Sequence, residues 1–151
     1  MLLRNISLSL CAVLLSVPVF ADSFTLSNRE GRQAEYTGTA SVSGRFERRQ
    51  DAESLDWKGD RICFFPDAAS KQVLPEEARS HKVLQFCFSN HRTAAQQLSI
   101  AAQSGVGCGV AGTARVAISR YIVESGEGEL YDQAWLDKVE QQGPVSTIRC
   151  N

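Results

Sequence analysis

Apolar and polar residues alternate most cleanly over Gly38-Thr39-Ala40-Ser41-Val42-Ser43-Gly44-Arg45-Phe46. Ala40, Val42 and Phe46 fall on one side, and Thr39, Ser41, Ser43 and Arg45 on the other. A period of two is that of a strand with one buried face. Gly44 inside the run predicts a bulge or sharp bend. Two shorter runs share the period. Ile62 and Phe64 face away from Cys63, and Leu84, Phe86 and Phe88 face away from Cys87. They predict strands over Ile62–Phe65 and Val83–Phe88, the first stopped by Pro66-Asp67.

The period then changes. From Ser89 to Ala102, Ala94, Leu98 and Ala101 recur at helical spacing, and Ser89 or Asn90 can cap the helix. Ser104-Gly105-Val106-Gly107-Cys108-Gly109 breaks it, and the longest strand follows over Val110–Val123, with Val110, Ala114, Val116 and Ile118 on one face. The stretch Val83–Val123 is the part around which the chain is organised. Over Asp132–Val139, Trp135, Leu136 and Val139 fit a helix face while alternation through Ala134 and Leu136 fits a strand; helix or irregular structure is expected, ahead of a last strand over Val145–Cys150. Polar stretches fill the gaps. Residues 22–37 read as an irregular N-terminal arm, Glu47–Asp60 as a long exposed connection, and Pro75 as the first residue of one helical turn.

Cysteines sharpen this picture once the compartment is considered. Met1–Ala21 carries Arg4, an apolar run over Ile6–Val19, and Val19-Phe20-Ala21 before Asp22, the three parts of a secretory signal peptide. The apolar run is short for a membrane span, which needs roughly 20 residues. Cys11 is preceded by Leu10 and followed by apolar sequence, which argues against a lipid-anchored cysteine. Cleavage removes Cys11 and leaves Cys63, Cys87, Cys108 and Cys150, an even set in an oxidising compartment. Four cysteines allow three connectivities. Because Cys63 and Cys87 each lie opposite a Phe-rich face, alternation places them on one side of a shared sheet, so the pairing expected is Cys63 with Cys87 and Cys108 with Cys150. The expected organisation is a signal peptide over 1–21, the arm over 22–37, and one β domain over 38–151, periplasmic or else secreted.

Three strands, a helix, a long strand and a closing element form the order of the OB-fold. At Gly38–Phe46, Phe86–Asn90 and Gly109–Tyr121 the chain resembles small bacterial OB-like domains, over about residues 38–140. The resemblance implies a mainly β fold: a small OB-like Greek-key barrel, disulfide-stapled, with one short helix between its third and fourth strands. A β-sandwich is the alternative. OB domains use one barrel face and its loops to hold oligonucleotides, oligosaccharides or proteins. Fold likeness alone assigns none of these.

Charge and motif chemistry narrow the function classes. The net charge of −1 becomes about −2 without Arg4, which makes no electrostatic case for nucleic acid or an anionic membrane. Gly107-Cys108-Gly109-Val110-Ala111-Gly112 matches the dinucleotide fingerprint G-x-G-x-x-G. Its context is reversed, a strand rather than a helix following, so no cofactor is expected. His81 and His91 lie in polar segments with no thiolate or carboxylate partner at ligand spacing, so no metal is expected and both read as exposed loop residues. Glu76-Glu77 and Glu124, Glu127 and Glu129 read as solvated acids, and no Gly-x-Ser-x-Gly elbow marks a nucleophile. Arg45, Arg48 and Arg49 run off the first predicted strand, and Arg120 and Tyr121 sit on the long one. Together they would form a basic, aromatic edge able to hold an acidic partner or a glycan. The expectation is a non-catalytic exported binding protein whose partner is another protein of the envelope, as inhibitor, immunity-type antagonist or accessory factor. The competing class is a small envelope hydrolase using His81 or His91 as base.

Overall fold

The computed structural model describes residues 23–51, 53, 59–100, 107–126 and 131–150, so the signal segment over 1–21 lies outside the described residues. Six strands run as β1 (Ser23–Glu30), β2 (Gln33–Arg49), β3 (Ile62–Pro66), β4 (Phe86–Phe88), β5 (Gly109–Glu124) and β6 (Asp132–Thr147). A 3-10 turn (Ser70–Val73) and one helical turn, α1 (Glu76–Arg79), fill the link from β3 to β4, and α2 (His91–Gln97) follows β4. No helix among the described residues is long and apolar enough to cross a membrane.

All six strands belong to one sheet, which excludes a sandwich of two sheets. β2 pairs with β3, β3 with β4, β4 with β6 in parallel, β6 with β5, and β5 back with β2. The hydrogen bonding therefore closes a ring. It is not a clean barrel, because β4 is three residues long and meets β3 through only two residue pairs. The short helix stands between the third and fourth strands of that ring, where the pattern placed it.

The inward row is the one that alternation identified. Val42, Phe46, Ile62, Phe64, Phe86, Phe88, Val116 and Ile118 are all buried. Phe64 and Phe86 lie nearly parallel with centroids 5.4 Å apart, and Phe86 meets Phe88 and Tyr121 edge-on at 5.7 and 5.5 Å. Each such ring removed from water contributes roughly 1.5–3 kcal/mol. Ala94 and Leu98 of the α2 region are buried against this cluster. On the outer side Cys63 and Cys87 are directly opposed and bonded, and Cys108 is bonded to Cys150. Both pairings are those expected.

Several expectations are corrected. The N-terminal arm is a regular strand: Ser23–Glu30 pairs along Gln33–Thr39, joined by a turn at Gly31 and Arg32. Its residues are mostly exposed, so backbone pairing forms the strand without an apolar signal. Asp132–Val139 is strand, continuous to Thr147, because parallel pairing with β4 and antiparallel pairing with β5 satisfy its backbone on both sides. That pairing outweighs a weak helical periodicity. Conversely, only Phe86–Phe88 of Val83–Phe88 is strand, and Val83 is exposed. Glu47 is buried within β2 rather than opening an exposed connection.

The bulge predicted at Gly44 lies elsewhere. Gly44 pairs in register with both Pro66 and Ala114, and the irregularity in β2 falls between Tyr36 and Thr39. Gly38 there has φ +129°, a conformation L side chains rarely adopt, and a Cβ on it would run into the Ser23 carbonyl. At Gly44 a Cβ would strike the Phe65 carbonyl and the Phe64 ring, so its role is to let β3 approach β2 closely.

Candidate functional site

The five residues expected to form one basic, aromatic edge are not brought together. Arg49 is opposite Gly109 and Arg48 opposite Val110, whereas Tyr36 is opposite Tyr121. Arg120 therefore lies roughly 35 Å along β5 from Arg48 and Arg49, and roughly 23 Å from Arg45, which is opposite Thr113. Tyr121 is fully buried and cannot meet a partner. A bulge explains its placement: the β5–β6 register shifts between Ser119 and Ile122, and Arg120 adopts φ +49°. One extra residue switches the strand's faces, turning Tyr121 inward and Arg120 outward.

Among the described residues, three arginines lie over aromatic rings. The Arg120 guanidinium lies 5.5 Å from the Trp135 ring centroid and 3.8 Å from a Glu35 carboxylate oxygen. Its side chain is 62% exposed, and Trp135 is 40% exposed. Arg45 covers the Phe65 ring at 4.5 Å and pairs with Glu47 at 2.6 Å. Arg61 lies 5.6 Å from the Tyr131 ring. An arginine over an aromatic face is held electrostatically while its edge donors stay available.

Between β2, β3, β5 and β6 lies an open cleft of about 630 Å³. Arg45, Phe65, Thr113, Arg115, Gln141 and Gln142 line it. Arg115 pairs with Glu140 at 3.0 Å. The Arg120–Trp135 pair is on the same outer side of the β5–β6 hairpin, roughly 15 Å further along the strand. Together they make one polar, arginine-rich and aromatic face.

Arg48 belongs to the inward row of Val42, Gly44 and Phe46, and its side chain is 17% exposed where Arg49's is 45%. Its Nε and Nη2 donate to the two oxygens of Asp60 at 2.6 and 2.5 Å. That bidentate bond holds the Asp60 carboxyl below the usual range, with a smaller contribution from nearby His91. Arg49 reaches Glu47 at 3.3 Å and Asp51 at 3.8 Å.

At the other end of the ring, two acids that the sequence presents as ordinary are held by several donors each. Glu77 accepts both Nη donors of Arg29 at 3.1 and 2.8 Å, the Tyr36 hydroxyl at 3.0 Å and the Ser125 hydroxyl at 3.0 Å. These bonds, Arg29's first, hold its carboxyl at about 2. It is thus a fully engaged, partly exposed acid, and it clasps α1 to β1, β2 and the residue after β5. Asp132 is fully buried and accepts the Tyr121 hydroxyl at 2.9 Å and the Glu124 backbone N–H at 3.0 Å. Burial raises its carboxyl, although these donors and the nearby His81 oppose the shift. His81 Nδ1 is 3.5 Å from Asp132 Oδ1 and its side chain is 26% exposed, so it is no free loop histidine, whereas His91 is exposed.

Asp132 and His81 are the pair that a hydrolase would require, a base oriented by a buried carboxylate. The Ser125 hydroxyl donates to Glu77. Among the described residues no three His, Cys, Asp or Glu side chains converge on a metal position. Gly107 turns the chain with φ +79° and a strand follows it, so the G-x-G-x-x-G stretch opens no helix. Glu127 and Glu129 lie outside the described residues.

Trp135, Phe65, Arg61 and Arg115 were not read as functional residues from the sequence, nor was His81 paired with Asp132. Trp135 was legible in principle, since Asp132, Ala134 and Leu136 alternate with it. The His81–Asp132 contact spans two elements with no local pattern to join them. Comparison with protein-family models, with curated proteins and with solved structures finds no match.

Proposed function

We propose that this chain is a non-catalytic binding protein of the periplasm, or of the secreted fraction, that engages another envelope protein. The observation that carries the proposal is the Arg120–Trp135 pair. A strained, bulged backbone turns Arg120 out of the ladder and over a partly exposed tryptophan, and Trp and Arg are the residues that dominate protein interfaces. Glu35 stands 3.8 Å away and engages Arg120 only loosely, leaving guanidinium donors for a carboxylate of the partner. The partner expected is therefore a folded protein presenting an acidic residue beside an apolar patch. The two disulfides suit an oxidising compartment, and the strand order supports an OB-like scaffold as part of the same reading.

An aromatic photo-cross-linking residue, p-benzoylphenylalanine, at Trp135, which keeps a ring beneath Arg120, with a control at Arg149, tests this in the native envelope. A discrete cross-linked protein from position 135 alone, lost when Arg120→Ala is added, supports it. The hydrolase reading predicts instead turnover of an envelope polymer that His81→Gln abolishes. Such turnover, with no cross-link at position 135, would displace the binding reading.

A further inference from the structure

The inward-pointing Arg48 is not used by the face just described. It stands at the mouth of the ring, where Arg48, Asp60, Ile62, His91, Arg92, Ala95 and Gln96 line a pocket of about 460 Å³. That volume is of small-molecule size. Ile62, buried in the core, and Ala95 supply an apolar wall, while the charged groups gather at the rim.

The charges do not balance. Asp60 engages Arg48 through Nε and Nη2, which leaves Nη1 with both of its donors. Arg92 is exposed and has no ion-pair partner among the described residues, and His91 is close enough to act on the Asp60 carboxyl. Among the described residues, two arginines and a histidine thus face a single carboxylate. A concave rim with surplus positive charge over an apolar wall concentrates anions.

We infer that this pocket binds a compact organic anion through a carboxylate, with Arg48 Nη1 and Arg92 as donors and Ile62 and Ala95 against its apolar part. Arg48 is pre-positioned by Asp60, so binding freezes little of its side chain. Arg92 completes the site from α2. The site is separate from the Arg120–Trp135 face, so neither proposal depends on the other.

Titration by two-dimensional NMR and calorimetry tests it, with pentanoate, its neutral isostere pentanamide, and N-acetyl-glutamyl amide as probes. Saturable shifts confined to Arg48, Ile62 and residues 91–96 with pentanoate, and none with pentanamide, are expected. Arg92→Gln, at an exposed position, should weaken binding about tenfold while leaving the melting temperature unchanged. Tighter binding of pentanoate assigns the pocket to a free small acid, and tighter binding of the glutamyl probe assigns it to an acidic side chain of a protein. Absence of saturation, equal shifts from pentanamide, or unchanged affinity in Arg92→Gln would overturn the inference.

Discussion

Asn90 pairs with Leu136 as a strand residue would, but with its side chain. Its Nδ2 donates to the Leu136 carbonyl at 2.8 Å, and the Leu136 N–H donates to its Oδ1 at 2.9 Å. β4 ends at Phe88, and Ser89 N–H still donates to the Ala134 carbonyl. Asn90 then continues the parallel ladder by one rung after its own backbone has turned toward α2. The sequence offered Asn90 as a helix cap, yet no side-chain capping bond forms. Asn90→Ala leaves the two Leu136 groups without partners, and a loss of about 2 kcal/mol in denaturant unfolding is expected. Asn90→Asp keeps the acceptor and loses the donor, so it should fall between the two.

Gly38 sets the bend at which β2 passes from β1 to β3. Gly38→Ala has to adopt φ near +129° against the Ser23 carbonyl. A destabilisation of at least about 2 kcal/mol by thermal unfolding is expected. Gly31→Ala, at φ +56° with open space around it, should cost less.

Glu77 and Asp132 give opposite pH dependences. Glu77 is depressed from 4.5 to about 2, so its stabilisation is present above pH 4.5 and is lost as pH falls toward 2. Glu77→Gln should flatten the stability profile across that window. Asp132 is raised by burial, so its contribution is present at low pH and lost as pH rises through its folded value. Asp132→Asn should remove that decline. Denaturant midpoints measured from pH 2 to 8 on both variants check the two signs.

The disulfides differ in access. Cys63 and Cys87 are buried, whereas Cys150 is exposed and Cys108 half-buried. A mild thiol reductant followed by alkylation and peptide mapping should open Cys108–Cys150 first. Removal of Cys63–Cys87, which closes a separation of 24 residues, should cost roughly 3 kcal/mol. Simultaneous opening of both bridges would show that burial does not set their order.

What alternation exposes was legible: the inward rows of β2, β3, β4 and β5, and through them the Cys63–Cys87 pair. The rest failed for identifiable reasons. β1 forms because its backbone groups find partners along β2 without an apolar period, and the short alternation of Ala134 and Leu136 in β6 is masked by the helical spacing of Trp135, Leu136 and Val139. The bulge at Ser119–Ile122 reverses the faces of β5 midway, so a single period carried along the strand puts Tyr121 outside when it is in the core. The same reversal sets Arg120 over Trp135, and a lost period cannot reveal the residue it has displaced.

The binding proposal turns on that displaced residue. Calorimetric titration of the cross-linked partner, once purified, against wild type, Arg120→Ala, Trp135→Ala and His81→Gln is the decisive measurement. Losses of about tenfold to a hundredfold in Arg120→Ala and Trp135→Ala, with His81→Gln at wild-type affinity, are predicted. Wild-type affinity in both Arg120→Ala and Trp135→Ala would contradict the proposal.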